Sequence, residues 1–208
     1  NAGVVPRPAA GPPGATVTMS YVISVGTASS TPAGIEYTVK AEVPAVVTYS
    51  LIAKYDLNDQ VRTTATPSTK FTEGAFGTFL KTKIAAGGTE KLVSSSAETN
   101  VYEAVASGAA TGPQFNGIKF GSSSANGSVT LTFEAGANIS KVVIGCAAWA
   151  SPATDTLTVN GVTLTPTQGG VSATVEELSF VFAATNVITI TTAKRIIINS
   201  ISVYQVAA

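Results

Sequence analysis

The stretch that decides the fold runs from Phe115 to Trp149 and reads FNGIKFGSSSANGSVTLTFEAGANISKVVIGCAAW. Within it, Val129–Phe133 alternates apolar and polar residues, which is the pattern of a half-buried strand. Asn126-Gly127 tolerates positive φ, so the pattern predicts a hairpin in which the strand ending at Phe120 turns back at this dipeptide. Residues 139–149 are almost continuously apolar and predict a central strand in a sheet covered on both faces.

The remainder of the chain extends the same strand and turn pattern. Asn160-Gly161 lies between two short alternating runs and predicts a second hairpin. Phe71–Lys83 is the one segment where a helix is plausible, although Gly74 and Gly77 weaken it. Many short strands separated by turns indicate an all-β fold, an antiparallel β-sandwich of jelly-roll or immunoglobulin-like type. The predicted core contains Phe120, Leu131, Phe133, Val143, Leu157, Phe180, Ile188, Ile198 and Ile201.

Composition narrows the range of partners. Of the 208 residues only 12% are charged, and the 12 basic and 12 acidic side chains cancel. Because no basic stripe is present to neutralise phosphates, nucleic acid is not an expected partner. The longest apolar run, Val142–Ala150, is much shorter than the ~20 residues of a spanning helix, so no membrane span is predicted.

We divide the sequence into three segments. Residues 1–14 form a Pro-rich extended tail, residues 15–45 a strand-like N-terminal extension, and residues 46–208 the sandwich. The chain begins with Asn1 without an apolar leader, which predicts a mature form already trimmed. Alternating apolar residues in the extension have the period of a strand and are the predicted subunit contacts: Val17, Met19, Tyr21 and Ile23.

The N-terminal extension has two interpretations. In the first, it docks on a neighbouring subunit and adds a strand to that subunit's sheet, which would generate filaments. In the second, Thr16–Val25 is the first strand of its own domain and pairs with Ile35–Val43 through the intervening loop. The sequence leaves both open.

The search for catalytic residues is negative. His is absent and Cys146 is the only cysteine, so neither a catalytic triad nor a thiolate cluster can form. Glu176 and Glu177 are adjacent on a predicted strand and point to opposite faces, so they cannot act as an acid and base pair. Asp56–Asp59 is interpreted as an Asx turn, because a calcium loop needs more oxygen ligands. We therefore predict no enzymatic activity, no metal and no cofactor.

A few side chains are candidates for binding or modification. Trp149 ends the central strand and could stack on a sugar at the sandwich rim, although packing into the core is the favoured interpretation. Lys194-Arg195 could cap the entrance to the last strand, with simple surface solvation as the alternative. Asn126 and Asn138 begin Asn-X-Ser sequons at predicted turns and are glycosylation candidates.

The order of several short motifs resembles a known module. They are Leu92–Ser96 before Val101-Tyr102, Gly117–Ser124 before Gly127–Leu131, Lys141–Ile144, Leu157–Gly161, and Lys194-Arg195 before Ser200–Val203. This order resembles a β-sandwich accessory module found at the ends of secreted and surface proteins of Bacteroidota and Firmicutes, sometimes appended to extracellular nucleases. The resemblance covers about residues 46–206. It implies an extracellular accessory or attachment module without catalysis of its own, and it leaves residues 1–45 unexplained.

Taken together, these features predict an extracellular, cell-surface structural subunit that self-assembles into a filament or surface layer, with N-terminal strand donation as one route of assembly. Its main partner would be other copies of itself. The alternatives are a carbohydrate-binding or adhesive surface module whose partners are glycans, and a virion coat or decoration protein.

Overall fold

The computed structural model describes residues 47–60, 69–85, 91–103 and 112–207, together with the backbone of four short strands between residues 17 and 37. The chain divides into two compact units, Asn1–Val46 and Val47–Ala208. The Pro-rich tail of residues 1–14 lies outside the described residues, as does Ile23.

The described part of the N-terminal unit contains four short strands. They are β1 (Val17–Tyr21), β2 (Ser24–Val25), β3 (Ala28–Ser29) and β4 (Ala33–Tyr37). Strand β1 pairs antiparallel with β4, with Val17 opposite Tyr37 and Met19 opposite Ile35. The second interpretation placed the partner of this strand at Ile35–Val43, whereas the observed partner is Ala33–Tyr37 and residues 38–43 lie outside the described residues. Donation of the strand to a neighbouring subunit stays a prediction.

The described residues of the second unit form eleven further strands and one helix. In chain order they are β5 (Tyr49–Asp56), α1 (Ala75–Lys81), β6 (Leu92–Thr99), β7 (Val101–Tyr102), β8 (Ile118–Phe120), β9 (Gly127–Phe133), β10 (Ile139–Ala148), β11 (Leu157–Val159), β12 (Val162–Leu164), β13 (Glu176–Thr185), β14 (Val187–Thr192) and β15 (Ile196–Val206).

These strands form two antiparallel sheets. The larger sheet has the order β13-β10-β15-β8-β7, and the smaller sheet has the order β12-β11-β14-β9-β6. Strand β15 is long enough to hold two neighbours on one side, since Ile196–Ile198 pairs with β8 and Ser200–Val206 pairs with β5. The predicted antiparallel β-sandwich is confirmed.

The inner faces of the two sheets enclose one core. Strand β9 shows the predicted alternation, with Val129, Leu131 and Phe133 buried and the residues between them half-buried. All predicted core residues except Val143 are at most 1% exposed. Burying side chains of this size contributes roughly 1.5 to 3 kcal/mol each.

Val143 is a correction to the predicted core, because it is only half-buried. The register of β10 against β15 shifts between Ile139 and Lys141, which makes Ser140 an extra residue in β10. An extra residue reverses which positions face inward. Val142 and Ile144 therefore enter the core, and Val143 lies on the outer face.

The predicted hairpin at Asn126-Gly127 is wrong. Strand β8 pairs with β15 in the larger sheet, whereas β9 pairs with β14 and β6 in the smaller one. The segment between them therefore crosses from one sheet to the other. The left-handed residue is Gly121, with a φ of 76°, and its Cα lies so close to the Lys194 carbonyl that an added Cβ would be 1.7 Å from that oxygen. Only glycine fits this position.

The second hairpin is confirmed. Strands β11 and β12 pair with Val159 opposite Val162. The two residues between them, Asn160 and Gly161, have φ values of 46° and 83°. Positive φ at both central residues is the requirement of a type I′ turn, which matches the right-handed twist of the strands.

Helix α1 lies within the segment that the sequence predicted. Seven residues are too few for a stable isolated helix, so packing must hold it in place. Phe76 and Leu80 are fully buried in the core. The first turn is also anchored to β6, since the Gly74 amide donates to Glu98 Oε1 (3.0 Å) and the Gly77 amide to Ser95 Oγ (2.6 Å).

Candidate functional site

Trp149 is buried, as the core-packing interpretation predicted. Its side chain is 6% exposed and packs with Ile197 and Phe115 in a small cluster separate from the main core. The Arg195 guanidinium lies 4.4 Å from the ring centroid, and a Cβ added to Gly112 would approach the ring to 2.7 Å. Stacking of this ring on a sugar would require its neighbours to move, and sugar binding here stays a prediction.

The residues at the entrance to the last strand form a defined structure. The Thr192 hydroxyl donates to the Lys194 carbonyl (2.8 Å), and the Lys194 amide donates to Asn126 Oδ1 (3.3 Å). The Trp149 amide donates to the Arg195 carbonyl (3.0 Å). Lys194 and Arg195 thus hold the start of β15 through their backbones, while the Arg195 side chain lies on Trp149.

Two carboxylates near the end of β5 have structural partners. The Asn58 amide donates to Asp56 Oδ1 (2.9 Å), which confirms the predicted Asx turn. Lys83 forms an ion pair with Asp59 at 2.6 Å, and this contact helps to lower the pKa of Asp59, after the hydrogen bond from Gln60. No group of three or more potential metal ligands occurs in the described part of the chain.

Glu176 and Glu177 also differ in their surroundings. Glu176 Oε2 accepts hydrogen bonds from the Thr167 amide (2.6 Å), the Thr167 hydroxyl (3.0 Å) and the Gln168 amide (3.1 Å). Glu177 is exposed. The first carboxylate therefore anchors the loop that leads to β13, and the two carboxylates do not form a shared site.

Two open grooves lie on the surface of the sandwich. One, of about 630 Å³, is lined by hydroxyl, amide and small side chains, including Ser151, Thr167 and Gln168. The other, of about 460 Å³, has Phe71 and Phe79 on its wall, and Glu103 is its one charged residue among those described. Thr167 in the first groove places a hydroxyl beside the Glu176 carboxylate, which also accepts hydrogen bonds from two backbone amides.

Asn126 and Asn138 are both exposed. The Asn126 side chain and carbonyl already accept hydrogen bonds from the Lys194 amide and the Asn100 side chain. Asn138 lies in the turn before β10. Their modification stays a prediction.

Strand β13 forms the most open edge of the described structure. It pairs with β10 along one side, and within the described residues no backbone hydrogen bond reaches its other side. Its ten residues, EELSFVFAAT, contain neither Lys nor Pro. Val181, near its centre, is 53% exposed. Such an edge presents a row of unpaired N–H and C=O groups that another strand can bind.

The other described edges are shorter or obstructed. Strands β7 and β12 have two and three residues. Residues 83–85 hydrogen-bond along β5, through Asp56 N to Lys83 O and Ala85 N to Lys54 O. Strand β6 has two register shifts and a left-handed residue, Ala97, with a φ of 56°. Bulges, short strands and covering segments are the usual protections of a sheet edge. Within the described residues β13 pairs regularly over Glu176–Val181 and is irregular only near its end, where Phe182–Ala184 lie opposite Ser140.

Sequence reasoning identified β13 as a strand but missed its position at an edge. The absence of Lys and Pro pointed instead to a central strand, since edge strands often carry these residues. Pairing partners, however, are not encoded within a strand.

Comparisons with known proteins do not identify a family for this chain. No family model matches the sequence, and no curated protein matches it. Among solved structures, a peptidoglycan O-acetylesterase is similar with 18% identity and a TM-score of 0.33, over 80% of this chain and 32% of the esterase chain. A similarity this low supports no conclusion about function. No helix of the described residues is long and apolar enough to cross a membrane.

Proposed function

We propose that this protein is a non-enzymatic, extracellular structural subunit whose copies assemble by strand addition at the open edge of β13. The observation that carries the proposal is the edge of β13, which is regular from Glu176 to Val181, has no charged residue after Glu177, and is unpaired within the described structure. In β-augmentation, backbone hydrogen bonds supply the affinity and alternate side chains supply the specificity.

The donor in this proposal is β1 of a second copy. The sequence of β1 alternates Val17, Met19 and Tyr21 with Thr18 and Ser20, as a strand that covers an apolar surface requires. Its pairing with β4 uses one side only. Because a strand has two hydrogen-bonding sides, β1 can pair with β4 and with β13 of a neighbour at the same time.

Such contacts join unlike surfaces, since β1 of one copy meets β13 of the next. A head-to-tail contact of this kind forms an open filament unless its rotation closes a ring. A low content of charged residues, 12%, is consistent with a protein whose surface is covered in an assembly. Extracellular location rests on the resemblance to surface modules.

A single lysine tests the edge. We expect Val181→Lys to raise the protein concentration needed for assembly by roughly tenfold or more, since burying an unpaired charge costs more than about 1.4 kcal/mol. The control is Val93→Lys on the obstructed edge of β6, where the side chain is 54% exposed, against 53% for Val181. This control should assemble like the wild type, as measured by light scattering and negative-stain electron microscopy.

The donor is tested by deletion. Protein lacking Asn1–Val25 should remain monomeric and should bind a synthetic peptide of these residues, with slower amide exchange over 176–185. A wild-type protein that stays monomeric at high concentration would contradict the proposal, as would filaments from the truncated chain or equal assembly of both lysine variants.

A further inference from the structure

A row of paired residues crosses one end of the larger sheet on its outer face. Lys70 is bridged to Tyr102, Tyr102 pairs with Lys119 on β8, and Lys119 pairs with Ile197 on β15. Directly paired residues of neighbouring strands point to the same face of a sheet. The flanking residues Phe120 and Ile196 enter the core, so the row itself faces outward.

Positive side chains lie on aromatic rings in this row. Lys119 Nζ is 3.9 Å from the centroid of the Tyr102 ring, and Lys70 Nζ is 5.5 Å from the same centroid. The Arg195 guanidinium lies 4.4 Å from the centroid of Trp149, which packs on Ile197. We call Lys70, Lys119 and Arg195, with the two rings beneath them, the basic patch. Cation–π contacts hold these charges in place without neutralising them.

The basic patch has few carboxylates. In the described part of the chain the ion pair is Lys83 with Asp59, which does not involve the patch. Lys70 donates to the neutral Asn100 side chain (2.8 Å). Among the described residues, Asp155 is the acidic group that acts on Arg195, and it also interacts with Lys194. Burial lowers the pKa of Lys119, and the charges of Arg195 and Lys70 lower it further. The cations therefore repel one another and lack a full complement of anions.

We infer that the basic patch binds an acidic polysaccharide, through the sulfate or carboxylate groups along its chain. Three cations spread over neighbouring strands, which are spaced about 4.8 Å apart, suit a polymer with repeated charges better than a single ion. Single-stranded nucleic acid binds by stacking bases on open aromatic rings. Here Tyr102 is 8% and Trp149 is 6% exposed. Both rings are therefore covered, and the patch can bind a ligand mainly through its positive charges. This inference is independent of assembly through β13.

The probes are dextran sulfate, polygalacturonate, neutral dextran and poly(dT) in a solution binding assay. We expect binding of at least one of the two acidic polysaccharides and none of neutral dextran. If three charges are neutralised on binding, a plot of log affinity against log salt concentration should have a slope of about −2. Lys119→Gln and Lys70→Gln should each weaken binding about fivefold, the factor for one contact of unit charges at about 4 Å in water.

Lys141→Gln is the matched control. Lys141 also lies over aromatic rings, Tyr49 at 5.0 Å and Tyr204 at 5.4 Å, but its partner in register on β15 is Tyr204, far from Ile197. This variant should bind like the wild type. Since Lys70 is exposed, its substitution tests binding even if Lys119→Gln folds poorly. Binding unchanged in both patch variants, no binding of either acidic polysaccharide, or tighter binding of poly(dT) would overturn the proposal.

Discussion

Cys146 shows how a buried strand position changes the chemistry of one side chain. It lies in the core on β10, and burial raises the pKa of its thiol to about 12, with a smaller contribution from Glu176. The thiolate is the reactive form of cysteine. The side chain therefore behaves as a small apolar group, as the sequence predicted.

The first prediction follows from this pKa. We expect Cys146 in the native protein to remain unlabelled by a thiol reagent at pH 8, and to react stoichiometrically after denaturation with guanidinium. The pKa of the unfolded thiol is about 8.5, so the free energy of unfolding should fall as pH rises above this value. Rapid labelling of the folded protein would show that β10 opens or that the thiol is accessible.

At the scale of the element, a turn can require glycine for two separate reasons: a left-handed backbone conformation, or a lack of room for a Cβ atom. Gly161 in the β11–β12 hairpin has a φ of 83°, but the space that an added Cβ would occupy is open. Gly121 has a φ of 76° and meets the Lys194 carbonyl. Gly136 also has open space and is not left-handed. Comparing these three glycines therefore distinguishes the effect of backbone conformation from the effect of limited space.

Alanine at these positions should give a graded result. Gly136→Ala should be neutral or stabilise by about 0.4–1 kcal/mol, because it restricts the unfolded chain. Gly161→Ala should destabilise by about 1–2 kcal/mol through the left-handed backbone. Gly121→Ala should be the most destabilising, because a steric clash adds to the backbone strain. Chemical denaturation measures all three, and equal effects at Gly121 and Gly161 would contradict the proposed close approach.

At the scale of the whole molecule, two aspartates should change the pH dependence of the free energy of unfolding in opposite directions. Asp155 is 6% exposed, and burial raises its pKa although Lys194, Arg195 and the Arg195 amide oppose the shift. The pKa of Asp59 is lowered by Gln60 and Lys83. A raised acid pKa destabilises the fold once pH exceeds the unfolded value, and a lowered one stabilises it over the same range.

Replacing each aspartate by asparagine tests the direction of its pKa shift. Between pH 3 and pH 6, the free energy of unfolding of Asp155→Asn should rise relative to the wild type, because the variant no longer has to bury a carboxylate. That of Asp59→Asn should fall over the same interval, by at most about 1 kcal/mol, since exposed ion pairs are weak. Parallel curves for Asp155→Asn and the wild type would contradict the raised pKa.

Local sequence determined the type of most elements. Alternation in Val129–Phe133 gave both the strand and its buried face, and Asn160-Gly161 specified a two-residue hairpin, because these properties depend only on neighbouring residues. The helix was also recognisable within Phe71–Lys83, where Phe76 and Leu80 share a face.

Tertiary structure decided which strands pair and which edge stays open. Asn126-Gly127 has the local signal of a hairpin, yet Phe120 pairs with Ile196 and Gly127 with Thr192, in different sheets. The extra residue at Ser140, which appears in the pairing with β15, likewise placed Val143 outside the core. The open edge of β13 and the basic patch also required the fold, since they join residues far apart in the chain. Strand pairing is a long-range choice, because it depends on how both sheets bury their apolar faces together, and no short stretch of sequence contains that information.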